Sequence, residues 1–228
     1  MRSFRVLTVD ELTVELFNNF NRHQVVDRCY RKDLNGNWLI RSDPFIDDWS
    51  ADEYAFLCQC LKNTLLTNGF VYGAFEGNEL KGFVSVESEI FDDVQRYADM
   101  TSLHVSEELR GQGIGKALFM AAKEWAKQHG AKKLYISAHS AIETQAFYRA
   151  LGCSDALSPH AKHVAAEPFD CQLECPLWQT QVIRRQKRFA LKKAQSYQKQ
   201  KTTHSAQGFL MRRSLWCLRI FWRVAFFL

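Results

Sequence analysis

Arg110-Gly111-Gln112-Gly113-Ile114-Gly115-Lys116 carries the densest chemistry in this 228-residue sequence. It follows the short apolar run Leu103-His104-Val105 and precedes a segment with helical periodicity. Three glycines within five residues let main chain approach a ligand closely. The amides between Gly111 and Lys116 then face outward at a helix start, where free N–H groups and the helix dipole hold phosphate. Arg110 and Lys116 add positive charge. The segment is not a nucleotide-triphosphate loop: Gly111 to Gly115-Lys116-Ala117 is one residue short of G-x4-G-K-[S/T] and lacks the magnesium-binding hydroxyl. It is not the dinucleotide fingerprint either, because Lys116 or Leu118 stands where the third glycine belongs. His104 and His139 have the side chain whose ordinary pKa suits proton transfer near neutrality. Glu87 and Glu89 are carboxylate candidates. Cys58-x-Cys60 and Cys171-x3-Cys175 lack the paired spacing of a zinc site, so no metal is expected and the seven cysteines read as reduced thiols.

The elements that must position this loop are legible in outline. Phe4–Thr8 reads as a strand, and Asp10 as the cap of a helix through about Phe20, with Leu12, Leu16 and Phe20 on one face. The stretch 21–48 shows no long periodic segment and reads as loop, with a second helix near Val25–Arg31. Its arginines, acids and tryptophans suit a lid over a polar amine. Ser50-Ala-Asp-Glu53 is a capping box opening a helix that Asn68-Gly69 ends. Phe70–Phe75 and Leu80–Val86 flank a Gly77-Asn78 hairpin turn. Tyr97–Val105 is a strand, 113–128 a helix, Lys133–Ser137 a strand, Thr144–Leu151 a short helix, and Phe169–Leu173 a last strand. A strand-helix-strand-helix run after a hairpin implies an α/β mixed sheet flanked by helices.

R-x-x-G-x-G after a strand resembles the pyrophosphate loop of the GNAT superfamily of acyl-CoA-dependent N-acetyltransferases. Downstream, Lys132-Lys-Leu-Tyr-Ile-Ser137 leading into Ala141-Ile-Glu-Thr-Gln-Ala-Phe147-Tyr148-Arg-Ala-Leu-Gly152-Cys153 is similar to that family's second signature, N-x-x-A-x-x-x-Y-x-x-x-G-F. The resemblance spans roughly residues 4 to 175. Phe20-Asn-Arg-His-Gln24 and Ile136-Ser-Ala-His-Ser-Ala141 bring it nearer a subgroup of small bacterial members. It implies the acyl-CoA N-acyltransferase fold, with a central mixed sheet of six to seven strands, and an enzyme moving the acetyl group of acetyl-CoA to a primary amine by direct attack. It implies pyrophosphate on Arg110, Gly111, Gln112, Gly113, Ile114, Gly115 and Lys116, and main-chain contacts from Leu103, His104 and Val105 to the pantetheine arm and thioester carbonyl. Tyr148 falls at the family's general-acid position. Counting six residues back from the end of the fourth strand places the base at Asp99, with the two histidines and two glutamates as competitors. Ala141, Thr144 and Cys153 depart from the signature; Ser140 is the substitute for the missing asparagine contact. A module that binds acyl-CoA without transferring it is the alternative reading.

The net charge of +5 hides a division. Residues 178–228 hold twelve Lys or Arg and no Asp or Glu, whereas 1–177 hold 18 basic and 25 acidic residues. We therefore read 1–177 as the transferase domain and 178–228 as a basic, aromatic-rich tail foreign to the family. The tail suits an interfacial membrane helix, a nucleic-acid arm or a segment without a selected role. The domain's acceptor is a small-molecule or peptide amine, with no nucleic acid expected, and a homodimer is compatible with the sequence. No apolar run reaches transmembrane length and no secretory leader is visible, which points to the cytoplasm.

Overall fold

The computed structural model describes residues 1–178; the readings of the tail lie outside the described residues. In chain order the elements are β1 (Arg2–Val6), β2 (Gln24–Lys32), β3 (Trp38–Asp47), α1 (Ala51–Leu66), β4 (Phe70–Glu76), β5 (Glu79–Val86), β6 (Ile90–Phe91), β7 (Tyr97–Asp99), β8 (Ser102–Val105), α2 (Ile114–Gln128), β9 (Lys133–Ala138), α3 (Ile142–Ala150), β10 (Ser154–Asp155), α4 (Ala161–Ala166) and β11 (Cys171–Pro176). One sheet runs β1-β4-β5-β8 and another β10-β11-β9-β7-β6. Every pairing is antiparallel except β7 with β9.

The expected single strand Tyr97–Val105 is two strands that belong to different sheets. Tyr97 to Asp99 pair with Lys133 to Tyr135 of β9, and Met100 N–H still donates to Tyr135 O at 2.9 Å. One residue later Thr101 N–H turns to Ser85 O at 3.2 Å, and from Ser102 onward the chain pairs only with β5. The two sheets are thus joined at residues 97–100 and parted beyond them.

Helices fill both faces. α2 and α3 cover one face through a core that includes Leu118, Phe119, Ala122, Leu134, Ile136 and Leu173, all 1% exposed or less. α1 covers the other face of the first sheet through Cys58, Leu61, Val71 and Phe83. The capping box forms as the sequence predicts: Ser50 Oγ accepts from Glu53 N–H, and the Glu53 carboxylate accepts from Ser50 N–H at 2.7 Å.

Two expectations fail in the first fifty residues. The helix expected over 10–20 is only one tight turn, Val14–Phe17. The residues that bury there are Leu12, Phe17 and Phe20, while Leu16, which a continuous helix would place between them, is only partly buried. The expected loop and helix of 21–48 are instead a long antiparallel hairpin, β2 with β3. Its turn is built by Asp33, whose carboxylate accepts from Asn35 and Asn37 N–H at 2.8 Å each, with Gly36 in the left-handed region (φ +83). The hairpin is fixed to the end of β9 by Tyr30 N–H donating to Ser140 O at 2.8 Å and by a Cys29–Ala141 bridge.

Gly69 marks the tightest handover, from α1 to β4. A Cβ there would lie 2.6 Å from Thr64 Cγ2 and 2.7 Å from both Thr64 O and Val86 O. Two of these obstacles are main chain, so no rotamer change relieves them. Gly69→Ala is expected to cost about 2–3 kcal/mol. Ser50→Ala, which only removes a cap, is expected to cost about 1 kcal/mol. Urea unfolding of both variants checks the order.

Candidate active site

The parting of β8 from β9 opens a groove of about 1010 Å³. Leu103, His104 and Val105 line one wall and Ile136, Ser137, Ala138 and His139 the other. Ser106 N–H donates back to Lys81 O on the β5 side. Main-chain direction alternates along an antiparallel pair, so the groups of Leu103 and Val105 face the open side. Val105 O is already used there, accepting from Arg110 Nε at 3.1 Å. What remains on that wall is the N–H of Leu103 and Val105 and the C=O of Leu103, an unpaired strand edge for an extended ligand.

The glycine loop closes one end of the groove. Gly111 (φ +77) and Gly113 (φ +82) are left-handed, and a Cβ on either would meet nothing within 4 Å. Gly113 caps α2 with no side-chain cap and no acidic residue in the first turn. Among the described residues no main-chain or side-chain acceptor takes the amides of Gly113, Ile114, Gly115 and Lys116. A cradle of free amides on a positive dipole end fits a diphosphate. Gly115 is closer to its surroundings: a Cβ would sit 3.3 Å from the Phe147 ring.

Not all of the loop's side chains face the groove. Ile114 is buried beneath it, and Gln112 turns outward to accept from Arg2 at 2.9 Å. Arg110 is spent on bracing: besides Val105 O, its Nη2 donates to Arg22 O at 3.1 Å. Lys116 lines the groove and is exposed. Ser140 is not brought to the groove. It is buried and its hydroxyl accepts from Arg31, while neighbouring Ala141 is fully buried against Val26 and Cys29 of the hairpin. An asparagine at 141 has no room in that contact.

Tyr148 lines the groove from α3, 7% exposed, and its phenol has no protein partner among the described residues. Burial pushes its pKa up, which keeps it protonated. Asp99 does not line the groove. Its Oδ2 is 2.6 Å from His163 Nε2 on α4, while its Oδ1 is buried without a partner. Three carboxylates do line the groove, Glu107, Glu143 and Asp170; Asp170, just before β11, accepts from Ser137 Oγ at 3.1 Å. Burial raises its pKa above the usual carboxylate range. Asp170 carries no sequence signature; its position depends on how β11 pairs with β9.

The histidines are placed in ways that argue against a base. His139 lines the groove and its Nδ1 accepts from Ala141 N–H at 3.0 Å, so in the neutral ring the other nitrogen carries the proton. His104 is wedged against Trp49 and Phe83, and burial followed by the charges of Arg22 and Arg110 pushes its pKa down to about 3. Glu87 is taken up by Thr64 and Thr101 hydroxyls at 2.7 and 3.0 Å, and Glu89 is exposed outside the groove. Among the described residues no His, Cys, Asp and Glu cluster is arranged to hold a metal, and no helix is long and apolar enough to cross a membrane.

The sequence model of the acetyltransferase (GNAT) family matches residues 34–153, just over half of the chain. The chain belongs to this family, and so to the acetyl-CoA-dependent acetyltransferases. Solved structures share the fold at low identity. A nourseothricin acetyltransferase matches at 18% identity and TM-score 0.58, over 78% of this chain and 99% of its own. A proposed streptothricin acetyltransferase from Bacillus anthracis, solved with acetyl coenzyme A, matches at 16% and 0.54, over 76% and 96%. A proposed GNAT-family acetyltransferase from Desulfovibrio desulfuricans matches at 13% and 0.51, over 78% and 100%. No curated protein sequence matches the chain.

The Asp99–His163 pair has a measurable consequence outside the groove. The Asp99 hydrogen bond raises the His163 pKa above its ordinary value. Its stabilisation is therefore in place below about pH 6.5 and is lost as pH rises through the folded-state value. The melting temperature is expected to decline over that window more steeply in the native chain than in His163→Gln, read by thermal melts between about pH 5.5 and 8.5.

Proposed function

We propose that the chain transfers the acetyl group of acetyl-CoA to a primary amine by direct attack, both substrates being bound together. The observation that carries this reading is the gap between β8 and β9, ending on the open amides of Gly113 to Lys116. In this reading the loop amides take the pyrophosphate and the Leu103 and Val105 amides take the pantetheine arm. An N–H aimed at the thioester carbonyl stabilises the oxyanion that forms when the amine attacks.

Proton transfer needs one acceptor and one donor. Of the groove carboxylates Glu107, Glu143 and Asp170, Asp170 is the one whose pKa burial raises, which brings it nearer the ammonium it must deprotonate. We therefore assign the base to Asp170 in place of Asp99, whose carboxylate is held by His163. Tyr148, kept protonated by burial and unpartnered, protonates the departing thiolate. The acceptor enters from the side of Arg22, Gln24 and Val25 at the foot of the hairpin. Nourseothricin and streptothricin belong in an acceptor panel because structures sharing the fold are named for them.

Thiol release from acetyl-CoA, with product mass, across antibiotics, polyamines, amino acids and peptides tests the activity. Tight acetyl-CoA binding without release under any acceptor would favour a binding module instead. Gly113→Glu is expected to weaken acetyl-CoA binding at least about a hundredfold, since a carboxylate on a left-handed cap fills the cradle and opposes the diphosphate. Calorimetry showing native affinity would remove the loop from the site. Tyr148→Phe and Asp170→Asn are each expected to lower kcat by about a hundredfold or more, with little change in acetyl-CoA affinity. Asp170→Asn should also abolish the acidic limb of the kcat/KM profile. If Asp99→Asn does so and Asp170→Asn does not, the base is Asp99.

A further inference from the structure

Behind the groove lies a cluster of reactive groups that the transfer reaction does not use. Lys123 on α2 is a buried lysine with no carboxylate partner among the described residues. Its Nζ donates to Cys175 Sγ at 3.2 Å and to Pro176 O at 2.7 Å, and stands 5.9 Å from the centre of the Phe119 ring. Cys175, on β11, is 1% exposed; Cys153, just past α3, is 5% exposed and, directly before the Ser154–Glu174 pair of β10 and β11, lies across from Cys175. A buried ammonium requires a counter-charge. The group in position to supply one is the Cys175 sulfur.

We propose that Cys175 and Cys153, with Lys123, form a covalent oxidation site for small hydroperoxides: a nucleophilic thiolate held by an ammonium, with a resolving thiol beside it. The neighbouring Cys153 thiol and the Lys123 ammonium hold the Cys175 pKa below that of an ordinary thiol. In the first step the Cys175 thiolate attacks the peroxide oxygen. The O–O bond breaks, an S–O bond forms, and the leaving hydroxide takes a proton to become water, giving Cys175–SOH. In the second step Cys153 sulfur attacks Cys175 sulfur, the S–O bond breaks, and the Cys153 proton leaves with hydroxide as water. The dithiol loses two electrons and two hydrogens, and the peroxide is reduced to water and its alcohol, or to two waters for hydrogen peroxide.

The site is not an isolated thiol. Cys153 N–H donates to Tyr148 O at 3.1 Å, so the bridge would tie the end of the helix carrying Tyr148 to β11. It would also remove the anion facing Lys123 on the helix whose other end is the glycine loop. A link to turnover rests on the proposed transferase reading; the oxidation chemistry does not.

The test uses the full chain with Cys60→Ser and Cys217→Ser, which removes the exposed thiol and the one in the tail. Under hydrogen peroxide, peptide mapping should show a Cys153–Cys175 disulfide that dithiothreitol reverses. Adding Cys153→Ser should leave a dimedone-reactive sulfenic acid at Cys175. Lys123→Met should slow Cys175 oxidation severalfold, since it removes the ammonium 3.2 Å from the sulfur. Where Lys123→Met does not fold, the pH profile of Cys175 alkylation in the otherwise intact chain replaces it. A midpoint well below the ordinary thiol value of about 8.5 supports the proposal, and one at or above it overturns it. Reduced Cys153 and Cys175 after Cys29 and Cys58 have oxidised would also overturn it. Acetyl transfer is measured separately on the reduced and oxidised chains.

Discussion

Everything in this fold turns on a strand that changes partners. The segment Tyr97–Val105 is hydrogen-bonded to β9 for its first half and only to β5 for its second. A continuous ladder would satisfy every amide and leave no entrance. Because the switch falls at Met100–Thr101, main-chain donors of β8 lie bare on one lip and the side chains of β9 on the other. The unpaired amides are costly in an empty protein and useful only to something laid alongside them. The rest of the architecture supports that gap: α2 starts at one end, α3 lends Tyr148, and the chain before β11 delivers Asp170.

Three similar proton-active groups have been given different tasks by their surroundings. Asp99 is bound to a histidine, Asp170 is half-buried and unneutralised, and Tyr148 is buried without a partner. Counting along a strand finds Asp99 but not what will occupy it. His163 arrives from α4, sixty-four residues later, and its ring stacks 5.6 Å from that of Tyr135. Environment assigns the role here, and residue type sets only the range of roles available.

That distinction also explains what the sequence discloses. The glycine loop, the Ser50 capping box, the β4–β5 hairpin and the amphipathic α2 depend on contacts within a few residues, and all are legible from spacing. The switch at Met100 is not, because both halves of the strand carry the same kind of residue. The β2–β3 hairpin was open to detection: Asn35-Gly36 between runs rich in branched and aromatic residues is a turn signal. The many charges of 21–48 masked it, since Arg22 with Asp47 and Arg31 with Asp43 pair across the strands and only look loop-like when read in line. Ser140 and Ala141 are explicable only once that hairpin is seen sitting on them.

The attachment of the hairpin has an evolutionary implication. It meets the end of β9 through few main-chain links around Cys29–Tyr30 and Ser140–Ala141, and the segment leading into it contributes Arg22, Gln24 and Val25 to the groove. The loop, Tyr148 and Asp170 all come from elsewhere in the chain. Under the proposed function, selectivity and chemistry therefore reside in separate stretches of polypeptide. On that reading, drift in residues 22–47 would retune what is admitted while the thioester machinery stays constant, the arrangement expected of a scaffold that diversifies its clientele without reinventing its reaction.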